Sequence, residues 1–576
     1  MLNQLQGRLG RRYIALIIFA LLAIAVWHRF GSLAPSPVIL PNSSNGKTDV
    51  VTPVGTGSGS GGSRPGSSAD SAGSGGASST GSGSKSSSGD DIKYIPSSYD
   101  WSKAKVYYPV ENMKSLPSGT PKAMPKIQAA SKLLVSDEIS KARKQKIKEK
   151  LIKSWDAYKT HAWTKDELMP LSGKGKQSLN GWAAQLVDAL DSLWLMGLKD
   201  EFHTAIKEVA VIDWAKTPDP KINLFEVTIR YLGGLISAYD LSQEKAALDK
   251  AVELGDALYA TFDTPNRLPS HWLYYEKAKN GEQVADTSMS GAAGGSLCME
   301  FTRLSQITGD PKYYDATERI KQFFYRFQDK TKMPGLWPHD MNYREETMIE
   351  NHYTIGAGAD SLYEYLPKMH ALLGGLDPEY EEMTVKALET ARDNLLFRPR
   401  TPNNDNILLS GNAGLPKNGK VVDFTPVMQH LTCFAGGMYA LAGKLLGRDD
   451  FLDLGSRLTG GCVWLYDAFP TNIMPENAEM IPCETLEGPC EPSPPGRSAN
   501  LPDGIVRVRD SRYMLRPEAI ESVFYMWRIT GDQKWRDAAW RMWQGIVKEC
   551  ETELAFATLQ DVKVHASSKA DSMEVS

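Results

Sequence analysis

The sequence predicts an all-α fold in which helical hairpins form a closed ring. Three observations lead to this prediction. After Ser136 the apolar residues follow helical spacing, and strand patterns are confined to possible small hairpins in long loops. The helices alternate between an apolar type rich in small residues and an amphipathic type. The turns between them are alike, since in 308–310 and 530–532 a glycine ends one helix and an aspartate caps the next. We expect Gly447 with Asp449, and Gly197 with Asp200, to do the same. Repeated hairpins of this length favour an (α/α) toroid.

The apolar helices are expected on the inside, because their Gly-Gly and Ala-Gly pairs let them crowd around an axis. They begin near Gly181, Glu226, Ser290, Gly356, Val427 and Pro517. The amphipathic helices are expected on the outside. They begin near Ser136, Asp200, Glu244, Pro311, Asp377, Asp449 and Asp532. A closed alternating ring needs equal numbers, and six inner helices accompany seven outer ones. We therefore expect the last inner helix to be missing beyond the polar tail 566–576.

The N-terminal region carries a targeting signal. Arg8, Arg11 and Arg12 precede an apolar run at 13–27, which is typical of a signal peptide or a short membrane helix. No convincing small-x-small cleavage site comes directly after it, which favours an uncleaved type II anchor over a cleaved signal. The arginines should stay on the cytoplasmic side. The prediction is a single-pass protein of the endoplasmic reticulum or Golgi membrane with a luminal C-terminal part.

The composition divides the chain into segments. We expect a cytoplasmic tail at 1–12, a signal-anchor transmembrane helix at 13–30 and a disordered Gly/Ser-rich luminal stem at 31–91. An N-terminal extension at 92–135 precedes the (α/α) barrel at 136–565, and 566–576 form the tail. The formal net charge of −4 and the lack of a large basic block argue against nucleic acid as a partner.

The chain contains six cysteines in a compartment that permits disulfides. They are Cys298, Cys433, Cys462, Cys483, Cys490 and Cys550. They form no CxxC pair and no Cys/His cluster, which argues against a zinc site. Cys483 and Cys490 bracket a Pro/Gly-rich loop and could form a local bridge.

Acidic residues recur where the inner helices begin. They are Glu226, Glu300, Asp360, Glu518 and Glu521, each among apolar neighbours. A buried carboxylate is costly unless it is paired or functional, and a single one could be a helix cap or an arginine partner. Several of them, from separate hairpins and pointing toward one axis, favour glycoside hydrolysis. That reaction needs an acid to protonate the leaving oxygen and a base to activate water.

Seven segments resemble motifs of the inverting α-1,2-mannosidases of glycoside hydrolase family 47. They are 154–158, 166–173, 186–194, FEVTIR from Phe225, ADSLYEYL from Ala359, QHLTCF from Gln429 and LRPEAIES from Leu515. The resemblance extends over residues 150–564. It implies an (α/α)7 barrel with a Ca²⁺ ion at its floor. It also implies hydrolysis, with inversion, of terminal α-1,2-linked mannose on the high-mannose N-glycans of glycoproteins.

The resemblance assigns roles to individual residues. Glu226 matches the family's general acid, Glu518 the residue usually assigned as base, and Asp360 and Glu476 further acids of the catalytic group. The positions that match sugar-contacting or surrounding residues are Arg230, Glu300, His430, Arg516 and Glu521. Taken alone, His430 would more often be a structural histidine. Cys433 and Cys462 match the family's disulfide, the alternative being two free buried thiols.

The C-terminus departs from the family pattern. Residues 571–574 begin a family motif that continues beyond Ser576 to the threonine that is the family's direct calcium ligand. We therefore assign no metal ligand and expect an incomplete calcium site. Three hypotheses follow: an active mannosidase whose end is a gene-model or splicing error, a truncated and calcium-deficient inactive product, or a non-catalytic mannose-binding quality-control lectin. The retained Glu226, Asp360 and Glu518 argue against the lectin.

Overall fold

The computed structural model describes residues 92–134, 136–348, 351–415, 422–492 and 501–573. The predicted cytoplasmic tail, signal anchor and stem lie outside the described residues and stay predictions. Among the helices that the structure describes, none is both long and apolar enough to cross a membrane. All elements below belong to the unit that contains Lys93–Ser576.

Seven amphipathic helices form an outer ring, and each begins within two residues of its predicted start. They are Glu138–His161, Lys199–Val209, Lys245–Tyr259, Pro311–Phe327, Pro378–Asn394, Asp449–Ala468 and Gln533–Cys550. The first and last of them are neighbours, because Arg143 pairs with Asp537 at 3.0 Å and Lys150 with Glu551 at 2.7 Å. The predicted all-α ring of hairpins is confirmed.

Six inner helices alternate with the outer ones in the described part of the chain. Four of them are interrupted. The first consists of Ala184–Asp188 and Leu190–Leu195, and the second of Leu224–Val227, the π-helical turn Thr228–Leu232 and Gly233–Ser242. The third consists of Gly291–Gly295 and Cys298–Thr308, and the fifth of the 3₁₀ turn His430–Phe434 and Ala435–Leu446. Asp360–Leu372 and Glu518–Thr530 are continuous. Shorter helical segments lie at Trp101–Lys103, Ser131–Leu133, Ala260–Phe262, Tyr275–Asn280 and Gln328–Lys330. The count of inner and outer helices therefore agrees with the one made from sequence.

The turns from inner to outer helices use glycine as predicted, but aspartate only in part. Asp310 and Asp532 accept hydrogen bonds from the backbone N–H two residues later, so they cap the helices that follow. The predicted caps after Gly447 and Gly197 are wrong. There Arg448 and Leu198 occupy the cap position without a side-chain bond, and the aspartates fall inside the first helical turn. An acidic side chain in that turn still stabilises the helix, because it interacts with the positive end of the helix dipole.

One hairpin shows why inner helices are rich in small residues. A Cβ added at Gly443 would lie 2.6 Å from the Leu452 backbone nitrogen, so Ala435–Leu446 and Asp449–Ala468 meet backbone to backbone. The predicted disulfide lies in the same hairpin. It joins Cys433, in the 3₁₀ turn His430–Phe434 before the inner helix, to Cys462 on the outer helix, with a Cα–Cα distance of 6.0 Å. Cys483 and Cys490 form the second bridge, and the remaining cysteines are buried free thiols.

Short antiparallel strands fill the connections that run from each outer helix to the next inner helix. The pairs are Glu167–Met169 with Lys174–Lys176, Lys221–Asn223 with Trp272–Tyr274, Met289–Ser290 with Asp340–Met341, and Leu396–Phe397 with Leu409–Ser410. Two sheets have three strands each. The first contains His352–Tyr353, Asn412–Gly414 and Asp423–Thr425. The second contains Val427–Gln429, Asn477–Met480 and Ile505–Asp510. Three strands lead directly into inner helices. The strand pairs therefore fix where those helices begin.

Both terminal segments of the described unit pack on the ring. The backbone N–H groups of Tyr107 and Tyr108, in the predicted extension, donate to the Asp263 carboxylate at 2.8 Å each. In the tail, the Asp571 carboxylate accepts from Leu171 N at 2.8 Å. Hydrogen bonds from backbone N–H groups to carboxylates thus hold both the extension and the tail to the barrel.

Candidate active site

Most of the predicted acids lie at the ends of the inner helices that the strand connections reach. Glu226, Asp360 and Glu518 fall within the first turns of three different inner helices, and Glu521 follows one turn after Glu518. Glu300 lies further along its inner helix, in the first turn of the second segment Cys298–Thr308. Their spacing along the chain gave no distances, but the barrel brings these ends to one side of the ring. The structure therefore gathers acids that are separated by hundreds of residues in sequence.

Glu226 sits in an irregular helix that pairs it with Arg230. Asn223 caps the helix, its Oδ1 accepting from the Glu226 backbone N–H at 3.0 Å. Arg230, inside the π-helical turn Thr228–Leu232, donates from Nε to Glu226 Oε2 at 2.9 Å. The Glu226 side chain is 33% exposed. Single π-turns are frequent at functional sites. The arginine thus holds one carboxyl oxygen of a side chain that remains partly open to solvent.

Glu518 is a buried carboxyl group surrounded by other charges of the site. Its Oε2 has no hydrogen-bond partner among the described residues. Burial raises the pKa of Glu518 to about 7, with Glu476 and Asp360 raising it further and Arg516 opposing them. Burial likewise raises the pKa of Asp360 to about 6. A carboxyl that changes protonation near neutral pH suits proton transfer.

Glu476 and Arg516 form a close ion pair in the site. Arg516 Nε donates to Glu476 Oε2 at 2.5 Å, and the Met514 N–H donates to Oε1 at 3.0 Å. Glu476 is only 5% exposed. A buried carboxyl group that pairs with an arginine and accepts hydrogen bonds at both oxygens is fixed in its orientation. Glu476 therefore orients Arg516 beside Glu518 and Asp360.

Glu300 and Glu521 are further buried carboxyl groups. Tyr365 donates to Glu300 Oε1 at 2.8 Å, and Glu300 Oε2 has no partner in the described part of the chain. Burial raises the pKa of Glu300 to about 7. Burial, followed by the charge of Glu364, also raises the pKa of Glu521 to about 7, and Lys368 opposes it.

His430 is completely buried behind these acids. Its ring stacks on Tyr513 with centroids 5.5 Å apart, and Tyr466 Oη lies 3.3 Å from Nε2. Burial and the nearby Arg516 charge lower its pKa to about 3. The ring is therefore neutral and cannot supply a positive charge at neutral pH.

Three charged residues of the site were missed from sequence. Burial raises the pKa of Asp188 to about 7, and this group is close enough to Arg230 and Glu226 to feel both charges. Glu364 pairs with Lys368 at 2.5 Å, one helical turn away. The i,i+4 spacing of Glu364 and Lys368 could have indicated this pair. Asp188 had only its place in one of the family-like segments as a signal.

The site carries an excess of acid. Its carboxyl groups are Asp188, Glu226, Glu300, Asp360, Glu364, Glu476, Glu518 and Glu521, and its cations are Arg230, Lys368 and Arg516. Eight carboxyl groups facing three cations cannot all be ionised at low cost. Bound protons or a divalent cation would relieve the repulsion.

A separate acidic cluster lies between two outer helices and does not suit a metal. Glu318, Asp377 and Glu379 bring carboxylate oxygens within 4.8 Å of one another. The ammonium of Lys321 occupies the middle of the group, 3.0 Å from Glu318 and 2.8 Å from Asp377, and it also contacts Glu379. The cluster is therefore an ion network closed by its own cation.

The chain is similar in sequence and in structure to known α-1,2-mannosidases. The sequence model of glycosyl hydrolase family 47 matches residues 150–575 of this chain. The chain is 33% identical over 437 residues to the probable mannosyl-oligosaccharide alpha-1,2-mannosidase 1B of Aspergillus flavus, covering 73% of this chain and 82% of that protein. It is 32% identical over 450 residues to the mannosyl-oligosaccharide alpha-1,2-mannosidase of Penicillium citrinum, covering 76% and 84%. The solved structure of the alpha-1,2-mannosidase from Trichoderma reesei superposes with a TM-score of 0.68 at 28% identity, covering 75% and 90%.

Proposed function

The chain belongs to glycosyl hydrolase family 47, and from this membership we propose that it hydrolyses terminal α-1,2-linked mannose on high-mannose N-glycans with inversion. The observation that carries the proposal is the set of Glu226, Asp360 and Glu518 at the openings of three inner helices. A lectin that only binds sugar would not need these three acids together. The names of the relatives support the same substrate class.

In the proposed reaction Glu226 is the general acid and Glu518 the general base. Glu226 gives its proton to the glycosidic oxygen as the bond to the anomeric carbon breaks. Glu518 takes a proton from a water that attacks the same carbon from the opposite face. Arg230 binds one oxygen of Glu226 and so limits the orientations of the acid. Asp360 and the Glu476–Arg516 pair surround the base and set its charge environment.

We include Ca²⁺ in the proposal because the family is generally calcium-dependent. Among the described residues, no three carboxyl groups of this site bring oxygens within 4.8 Å of one another, so they would hold the ion mainly through waters. Glu300 and Glu518 each have a buried oxygen without a partner among the described residues, and Glu521 lies one turn from Glu518. Such carboxylates, directly or through waters, are ligands that Ca²⁺ prefers. When bound, the ion would hold sugar hydroxyl oxygens and offset the excess negative charge.

Removing calcium is expected to lower both activity and thermal stability. A chelator such as EGTA should abolish mannose release and lower Tm by a few degrees, since an ion that binds only the folded state stabilises it. Adding Ca²⁺ in excess should restore both, whereas Mg²⁺ should not. Unchanged Tm and activity after exhaustive chelation would contradict the calcium assignment.

The acid limb of the pH profile is expected to lie unusually high for a carboxylate base. Glu518 must be ionised to accept a proton, and burial raises its pKa to about 7. Activity should therefore fall as the pH drops below about 7, whereas an ordinary glutamate would stay ionised down to about 4.3. The measurement is kcat/KM against pH, with Tm followed in the same buffers. A bound Ca²⁺ near Glu518 would lower this pKa, so the midpoint should shift down as the Ca²⁺ concentration is raised. A midpoint near the ordinary glutamate value at every Ca²⁺ concentration would contradict this assignment.

The direct test is mannose release by the purified full-length chain in the presence of Ca²⁺. A high-mannose oligosaccharide should lose α-1,2-linked mannose, and early NMR spectra should show β-mannose as the first product. Glu226→Gln is the inactive control. Binding without release by the unmodified protein would favour the lectin, and neither binding nor release would favour an inactive product.

We further propose that the protein is a type II membrane protein of the endoplasmic reticulum or Golgi, with the barrel in the lumen. The arginines before the apolar run at 13–27 support this orientation. Two disulfides in the barrel fit an oxidising compartment. Resistance of the protein to alkaline extraction from membranes would test the anchor.

A further inference from the structure

His271 lies beside the helix that carries Glu226 and is absent from every role assigned above. The strand Lys221–Asn223 pairs with Trp272–Tyr274, and Asn223 stands opposite Trp272. The His271 carbonyl accepts from the Leu224 N–H at 2.9 Å. The strand pair therefore fixes His271 against the first turn of the Glu226 helix.

The Asn223 side chain connects His271 to Glu226. Its Oδ1 accepts from the Glu226 backbone N–H at 3.0 Å, which fixes the orientation of the amide. The amide nitrogen Nδ2 then faces His271 Nε2 at 3.2 Å. Because an amide nitrogen can only donate, Nε2 must accept, so the imidazole is neutral and its proton is on Nδ1.

The surroundings of the ring agree with this assignment. Nδ1 is buried without a hydrogen-bond partner among the described residues, so the contact at Nε2 alone decides the tautomer. Burial lowers the pKa of His271, Lys221 lowers it too, and the carboxylates of Asp286 and Glu226 act in the opposite direction. The Asp286 carboxylate is already occupied by the backbone N–H of His271.

We propose that His271 is a positioning residue for Glu226, acting through the Asn223 amide. Neutral His271 accepts from Nδ2 and so keeps Oδ1 turned toward the helix that it caps. A protonated ring would place two donors against each other, and the amide would turn and release the Glu226 backbone N–H. The inference rests on the proposed function, because Glu226 matters here as the general acid.

The kinetic test compares an acceptor with no acceptor at position 271. His271→Gln can accept from Asn223 Nδ2 in place of the imidazole and should keep kcat within about threefold. His271→Ala should lower kcat roughly 10- to 100-fold with little change in KM, since small displacements of a catalytic group cost this much. Asn223→Ala should behave like His271→Ala, and the double variant should be no worse than either. His203→Ala, an exposed histidine on an outer helix, is the matched control.

The tautomer gives a second test that does not need activity. ¹⁵N NMR of the full chain, with the His271 signal assigned by its loss in His271→Gln, should show Nδ1 protonated and Nε2 unprotonated at neutral pH. A protonated Nε2, equal losses of kcat in the Gln and Ala variants, or an effect on KM alone would overturn the inference. If the unmodified protein releases no mannose, the proposed function fails, and the NMR result still decides whether His271 holds the amide.

Discussion

Replacing Glu518 by glutamine is expected to lower kcat by roughly 10²- to 10⁴-fold, the range found for removing a general acid or base. Glutamine keeps the size of the side chain but cannot accept a proton from water. Folding should be preserved or improved, because the variant removes a buried carboxyl group whose pKa burial raises to about 7. The expected result is therefore a protein of equal or higher Tm that binds the oligosaccharide and turns it over slowly.

The measurement needs kcat, substrate binding and Tm from the same preparation. Glu389→Gln is a suitable control, since Glu389 lies on an outer helix and pairs with Arg448. It should retain full activity. A Glu518→Gln variant with more than about a tenth of the original kcat would remove Glu518 from the role of base and leave Asp360 as the next candidate.

The fold could be predicted from sequence because its signals are local. Helical spacing, small residues in alternate helices and glycine at the turns fixed the starts of all seven outer helices to within two residues. The inner helices were less regular than their patterns indicated. The π-helical turn Thr228–Leu232 and the break before Cys298 depend on how neighbouring helices and strands crowd the openings of the barrel. Those contacts are non-local and leave no periodic trace.

The acids of the site and some of their neighbours, such as Arg230 and Arg516, were predicted from sequence, but the contacts between them were not. Glu226, Asp360 and Glu518 could be recognised because a carboxylate in an apolar helix is costly to bury unless it is paired or functional. The charges that act on these acids come partly from other hairpins, as Arg516 does for Asp360 and Lys368 does for Glu521, so these contacts appear only in three dimensions. His271 precedes a short strand in a connection, and nothing in its sequence neighbourhood indicates the Asn223 contact.

Replacing Lys321 by methionine is expected to destabilise the barrel by about 3–5 kcal/mol, the cost of breaking a buried ion pair by removing one partner. Lys321 is 4% exposed and contacts Glu318, Asp377 and Glu379. These contacts join the outer helix Pro311–Phe327 to the cap of Pro378–Asn394. Methionine fills the space of the lysine stem but leaves the three carboxylates to repel one another.

The loss should depend on pH in a definite direction. In the unmodified protein burial acts to lower the pKa of Lys321, but the three carboxylates together outweigh it and raise the pKa. The contribution of Lys321 therefore persists at neutral pH and is lost only as the pH rises through that raised value. Burial already raises the pKa of Glu318, and Lys321 opposes this rise. Without Lys321 the carboxylates should therefore bind protons more readily. The deficit should therefore be largest near pH 8 and shrink toward pH 5. Urea unfolding at both values measures it. Lys386→Met, which breaks an exposed pair with Asp329, should cost about 0–1 kcal/mol. A similar loss in both variants, or a deficit that grows on acidification, would mean that the network does not hold these two helices together.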